Sequence, residues 1–192
     1  MNAVGIVLIA IVAIVVIALL WAVGAYNAFV RLRNLVQEAW RQIDVELTRR
    51  HDLIPNLVET VKGYAAHERG VFDEVAQARS IASAPASGPA EQAAHENQLT
   101  QALGKLFAVA EAYPVLRASE NFQQLQSELT NTEDRIAAGR RFYNANVRTL
   151  NTRVETFPNN IVAGMFGFVR AEYFETEDPA VRAAPTVDFG QS

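Results

Sequence analysis

Residues 122–157 read FQQLQSELTNTEDRIAAGRRFYNANVRTLNTRVETF, and the spacing within them decides the fold. Phe122, Leu125, Leu129, Thr132, Ile136, Arg140, Tyr143, Val147, Leu150, Val154 and Phe157 follow one another at alternating steps of three and four, with a single irregular step. Such spacing keeps one stripe of a helix turned toward neighbouring helices. Ser119 suits the cap at the start of this helix, and Pro158 ends it. Upstream, Leu99, Leu103, Leu106, Val109 and Ala110 mark another helix, with Pro89 in its first turn and a stop near Tyr113-Pro114. Before it, residues 80–90 (SIASAPASGPA) form the chain's clearest linker, being small, breaker-rich and uncharged.

Further upstream, Leu57, Val61, Tyr64, Val71, Val75 and Ala78 share one face of a helix softened by Gly63 and Gly70. Asp52 is a suitable N-cap for it, because Pro55 then falls in the first turn, where a missing N–H costs little. Leu32, Leu35, Val36, Ala39, Trp40, Ile43 and Leu47 mark the helix before that. No segment alternates with period two, so sheet should be almost nil. Four amphipathic helices on short connections predict an all-α, antiparallel four-helix bundle.

Residues 3–23 (AVGIVLIAIVAIVVIALLWAV) differ in kind, because no charged side chain occurs before Arg31. At ~1.5 Å per residue such a run reaches roughly 30 Å, the thickness of a bilayer's hydrocarbon core. A cleaved signal peptide has a basic leading segment and a shorter apolar core, and a buried core helix is rarely so uniform. A retained transmembrane helix over residues 1–25 is the expectation. Trp21 and Tyr26 suit the headgroup region, and Arg31 and Arg33 favour a cytoplasmic main domain with the amino end outside. The expected organisation is therefore a span, a bundle domain over residues 26–174 and an acidic, flexible tail over 175–192, in the cell membrane. Residues 160–174, apolar and interrupted by glycine, are expected to pack across the bundle end, the membrane surface being the other possibility.

Charge and composition exclude several functions. Basic and acidic residues balance from Tyr26 to Arg170, and the net charge of -4 sits in the final residues, where Glu172, Glu175, Glu177, Asp178 and Asp188 face Arg182 alone. A body without a basic stripe argues against nucleic acid as partner. With no cysteine there are no disulfides, thiolate metal sites or cysteine nucleophiles. His67-Glu68 begins like a zinc-protease motif, but the required second histidine position is Val71. The residues three before His51, His67 and His95 are Thr48, Tyr64 and Gln92, so the Glu-x-x-His pairs of di-iron bundles are missing. No hydrolase elbow, phosphate loop or dinucleotide motif occurs. No catalytic residue, metal site or cofactor is expected.

Three groups remain as candidate sites. Arg49, Arg50, His51, Asp52 and Asn56 surround the expected helix start and form a candidate interaction corner for a protein partner. Asp44, close to an apolar face, with Arg140, Tyr143 and Asn144, forms a candidate polar core network, to which Asn146 and Asn151 can contribute. Pro185, Val187 and Phe189 form a candidate docking motif in the tail.

Several runs occur in an order that resembles the LemA family. They begin with 26–33 (YNAFVRLR), 39–40 (AW), 43–45 (IDV), 49–58 (RRHDLIPNLV), 61–65 (VKGYA) and 67–68 (HE). They continue with 111–114 (EAYP), 122–126 (FQQLQ), 141–144 (RFYN), 157–158 (FP) and 185–189 (PTVDF). The long linker at 80–90 departs from that pattern. The resemblance implies a bacterial protein with an amino-terminal span and a helical bundle, without established enzymatic activity. It also implies kinship with a protein linked to building a membrane organelle in magnetotactic bacteria. The expected function is a non-enzymatic membrane-anchored scaffold or adaptor that touches lipid through its span and an unknown protein through its bundle. The rival expectations are a membrane-organising homo-oligomer and, last, an enzyme or metal protein of unknown type.

Overall fold

The computed structural model describes residues 2–175. Their secondary structure is α1 (Ala3–Lys62), α2 (Arg69–Ala82), α3 (Pro89–Glu111), α4 (Pro114–Arg117), α5 (Glu120–Glu155) and α6 (Asn159–Phe166). No strand occurs among the described residues, and the fold is an all-α helical bundle. The tail motif Pro185, Val187 and Phe189 lies outside the described residues.

The long seam lies in α5 from residue 122 to 155, with Phe157 left beyond the helix end, and Ser119 Oγ accepts the Phe122 N–H at 3.4 Å beside the helix start. Pro89 opens α3, also as expected. Just before it, the Ser87 N–H and hydroxyl both donate to Glu91 Oε2, at 2.5 and 2.6 Å, and these two bonds hold the Glu91 carboxyl below its ordinary pKa. The expected linker contracts to the few residues between Ala82 and Pro89. Pro114 opens a one-turn helix, α4, that the sequence reading did not separate.

The largest departure is in α1. The helix expected to begin at Asp52 does not begin there, because α1 runs without interruption to Lys62 and encloses Pro55. The break falls instead at Gly63, a poor helix former placed directly after the basic last turn.

The described residues form two compact units, 2–50 with Thr130–Tyr173, and His51–Leu129 with 174–175. In the first unit α1 and α5 run antiparallel. Trp40 meets Tyr143 with ring centroids 5.5 Å apart, an added Cβ on Gly139 would lie 3.1 Å from Ile43 Cγ1, and Glu46 pairs with Arg135. Ala39, Ile43, Leu47, Ile136, Val147 and Leu150 are buried along this unit. The second unit has its own core, in which Ile54, Leu57 and Val61 of α1 pack with Phe72 and Val75, Leu99 and Leu106, Leu116, and Phe122 and Leu129. Each segment contributes one apolar face, so burial against the other segments stabilises helices that would be marginal alone.

Ahead of the packed part of α1 stands the apolar run. α1 is long and apolar enough to cross a membrane, with a mean hydropathy of 3.4 over its best window and none of that window buried. Leu8, Ile14 and Leu20 are all more than half exposed, a cost in water that lipid removes.

Candidate functional site

In the first unit, Gly139 of α5 carries no side chain where the helix faces α1, so the Ile43 side chain packs directly onto its backbone. Beside this contact lies a cleft of about 500 Å³ lined by Gln42, Val45, Glu46, Arg135, Gly139 and Phe142. Val45 is 66% and Phe142 51% exposed, too much for ordinary core positions. Arg135 Nη1 lies 3.4 Å from Glu46 Oε1 at the rim. The other carboxylate oxygen, Glu46 Oε2, is buried and has no hydrogen-bond donor among the described residues. A buried acceptor without a donor is costly, and two apolar side chains next to it are wet. The cleft therefore has the chemistry to take an apolar side chain together with an N–H or cationic donor.

Other polar groups of this unit are occupied in holding it together. Arg50 is almost fully buried, and its Nε lies 2.8 Å from Glu133 Oε1. The Tyr143 hydroxyl donates to the Glu172 carbonyl at 2.8 Å. Burial, and secondarily the Glu172 carboxylate, raise its pKa from 10.0 to about 12. Asn151 completes the set: its amide donates to the Ala171 carbonyl at 2.9 Å and its Oδ1 accepts the Ala171 N–H at 2.8 Å. Tyr143 and Asn151 thus strap the segment after α6 along α5.

In the second unit, His51 Nε2 lies 2.8 Å from Glu96 Oε1, and both side chains are buried. Gln92 Nε2 donates to the same oxygen at 2.9 Å and to the Ala82 carbonyl at 2.8 Å. A carboxylate only accepts, so Nε2 of His51 carries the proton toward it. Next to this pair, Arg79 Nε donates to the His51 carbonyl at 2.6 Å. That carbonyl is the one a helical N–H at position 55 would have bonded, and proline has none. Arg79 of α2 therefore supplies to α1 the hydrogen bond that Pro55 withholds.

The sequence-predicted candidates are distributed accordingly. Arg49, Arg50, His51, Asp52 and Asn56 all lie inside α1, so no interhelical corner exists there. Arg50 and His51 face inward to Glu133 and Glu96, whereas Arg49, Asp52 and Asn56 are exposed. In the expected core network, Tyr143 is buried, Arg140 and Asn144 are half-buried, and Asp44 is exposed with its carbonyl accepting the Thr48 hydroxyl. Asp44 does not belong to the core, because its position turns one step away from Ile43. Asn151 is buried and bonds the Ala171 backbone. Glu96, Glu133 and Arg79 escaped sequence reasoning. Gln92 and Glu96 four apart on one helix face were the available sign for the first. No group of three or more His, Cys, Asp or Glu able to hold a metal occurs among the described residues.

Comparison with known proteins gives a consistent kinship. The LemA family model matches residues 39–189. Magnetosome protein MamQ 2 of Paramagnetospirillum magneticum is 31% identical over 81% of this chain and 66% of its own length. Magnetosome protein MamQ of Magnetospirillum gryphiswaldense is 29% identical over the same shares, and Protein LemA of Metamycoplasma hominis 27% identical over 81% of this chain and 71% of its own. The chain thus spans just under two thirds of the length of the MamQ relatives. The exposed apolar helix and the magnetosome proteins among the relatives together indicate membrane association.

Proposed function

This chain belongs to the LemA family, and from that premise we propose that it is a single-pass membrane-anchored scaffold that works by contact rather than by catalysis. The observation that carries the reading is the cleft between α1 and α5, where Val45 and Phe142 stand exposed around the unpartnered Glu46 Oε2. Its partner is a helical protein segment presenting an apolar side chain beside a lysine, arginine or amide donor, the complement of those three residues. The buried polar groups support the same reading. Arg50 with Glu133, and His51 with Glu96 and Gln92, are consumed in joining helices. Arg31 and Arg33 follow the span and favour a cytoplasmic cleft with the amino end outside.

A photo-crosslinking amino acid at position 142, introduced in living cells, tests the reading. A discrete adduct that disappears on Val45→Glu or Glu46→Lys supports it. An adduct indifferent to both substitutions, or none at all, counts against it. A carboxyl-terminal fusion to a reporter active only in the cytoplasm tests the topology, and a silent cytoplasmic reporter with an active periplasmic one reverses it.

A second reading has an observation of its own, the magnetosome proteins among the relatives. Under it, copies of the chain cluster through their fully exposed spans and organise the bilayer. Full-length protein that stays monomeric in several detergents and in nanodiscs argues against that role.

A further inference from the structure

The segment from Phe157 to Val169 carries no charged residue and forms most of its apolar surface outward. Val162, Ala163 and Phe168 are buried against the first unit. On the other side, Phe157 is 75%, Ile161 53%, Met165 74% and Val169 75% exposed. Ile161 and Met165, four apart, share one face of α6. A helix resting on a water-soluble surface is polar on its outer face, and this one is apolar on both.

The position of the segment names what covers it. Tyr26 follows the end of the apolar run by three residues, roughly 5 Å along the helix. Its ring meets Phe166 and Phe168 with centroids 4.9 and 5.7 Å away, and Phe29 stacks on Phe168 at 4.8 Å. The carboxyl end of α6 is thereby held at the level where α1 leaves the apolar run. Arginines stand around the same cluster: Arg33 lies 5.6 Å from the Phe168 ring, Arg153 lies 6.0 Å from the Phe29 ring, and Arg170 follows Val169. Gly167, at φ +70°, closes α6 in the left-handed conformation and turns the chain so that Phe168 points inward while Val169 stays outside. Aromatic rings, an apolar face and flanking guanidiniums at one depth are the composition of a headgroup boundary.

We infer that α6 is a second membrane contact, an interfacial helix whose Ile161, Met165 and Val169 enter the headgroup and acyl boundary of the bilayer that the span crosses. The inference rests on the membrane anchorage argued above and adds a lipid-binding face to it. The two contacts together hold the first unit at a fixed tilt, because a span alone leaves a domain free to lean.

The chain has no cysteine, so single cysteines can be introduced without background. Ile161→Cys, Met165→Cys and Val169→Cys are each labelled with a nitroxide in the full chain, in nanodiscs of phosphatidylcholine and phosphatidylglycerol in equal parts. Val12→Cys serves as the lipid reference and Val45→Cys as the aqueous one, Val45 being exposed on α1 about 33 Å beyond the apolar run at the usual helical rise. All these positions are exposed, so labelling leaves the core intact, and unchanged helicity confirms it. The expected result is a several-fold higher ratio of oxygen to nickel-chelate collisions at positions 161, 165 and 169 than at 45, approaching that at 12. Ratios equal to position 45, with position 12 in lipid, overturn the inference and leave the anchorage standing. Dipolar broadening at 165 that vanishes on dilution with unlabelled protein assigns the face to a second copy and also overturns it. An aqueous position 12 overturns both readings together.

Discussion

Replacing Arg79 by methionine isolates the hydrogen bond that stands in for the missing amide of Pro55. A proline inside a helix costs about 3 kcal/mol, partly because the carbonyl four residues earlier loses its donor. Here that carbonyl belongs to His51 and receives Arg79 Nε at 2.6 Å. A charged donor to a carbonyl in a half-buried setting contributes roughly 1.5–3 kcal/mol. Arg79→Met keeps most of the aliphatic stem, so its loss should be about 2 kcal/mol. In a Pro55→Ala background the restored N–H bonds the same carbonyl, and Arg79→Met should then cost no more than about 0.5–1 kcal/mol, a coupling of about 1–1.5 kcal/mol. The assay is urea unfolding of the four full-length proteins in one nonionic detergent, followed by far-ultraviolet ellipticity. Comparable slopes show that the same surface unfolds in each. Equal costs of Arg79→Met in both backgrounds would refute the reasoning, since the guanidinium would then be stabilising α2 independently of the proline.

Three further outcomes follow from the same geometry. Gly139→Val forces a side chain into the place where a bare Cβ already lies 3.1 Å from Ile43 Cγ1, and should cost about 2 kcal/mol, with Ile43→Ala restoring part of it; urea midpoints of the single and double variants decide. Tyr143, raised to about 12 from 10.0, contributes stability that is intact below pH 10 and lost as pH climbs toward 12, up to roughly 2–3 kcal/mol. Tyr143→Phe should therefore be about 1 kcal/mol less stable near neutrality and should lose that deficit across the same alkaline window, as unfolding over a pH series would record. Glu96→Ala leaves the buried His51 donor without its acceptor and Gln92 Nε2 with the Ala82 carbonyl alone, and should cost about 3 kcal/mol, whereas His51→Leu with Glu96→Leu should be closer to neutral, as paired denaturation curves will show.

The helical class was legible because periodicity reports a side chain's face, and faces are what the core selects. Phe122, Leu129, Ile136, Tyr143, Val147 and Leu150 were readable on those grounds alone, and all are buried. The end of α1 is misplaced by the sequence because Asp52 and Pro55 have the local chemistry of a helix start, and the compensating Arg79 lies on another helix. Local pattern cannot register a donor that arrives through tertiary packing. Glu96 stands in sequence among the polar amides Gln92, Asn97 and Gln98, and only a histidine from α1 makes it structural. Asn151 bonds the backbone of Ala171 in an irregular segment that has no period to read. The cleft depends on Gly139 standing beside an outward Phe142, and neither residue lies on the apolar seam that the period marks.

Because α1 passes from Ala3 through the whole first unit as one helix, the proposed anchor has no swivel. Each added residue near Gly24 would index everything beyond it by ~100° about the helix axis and lift it by ~1.5 Å. The phase of the apolar rod therefore dictates the compass bearing of the Phe142 cleft, and any neighbour that grips the rod from the side also chooses which way that cleft looks.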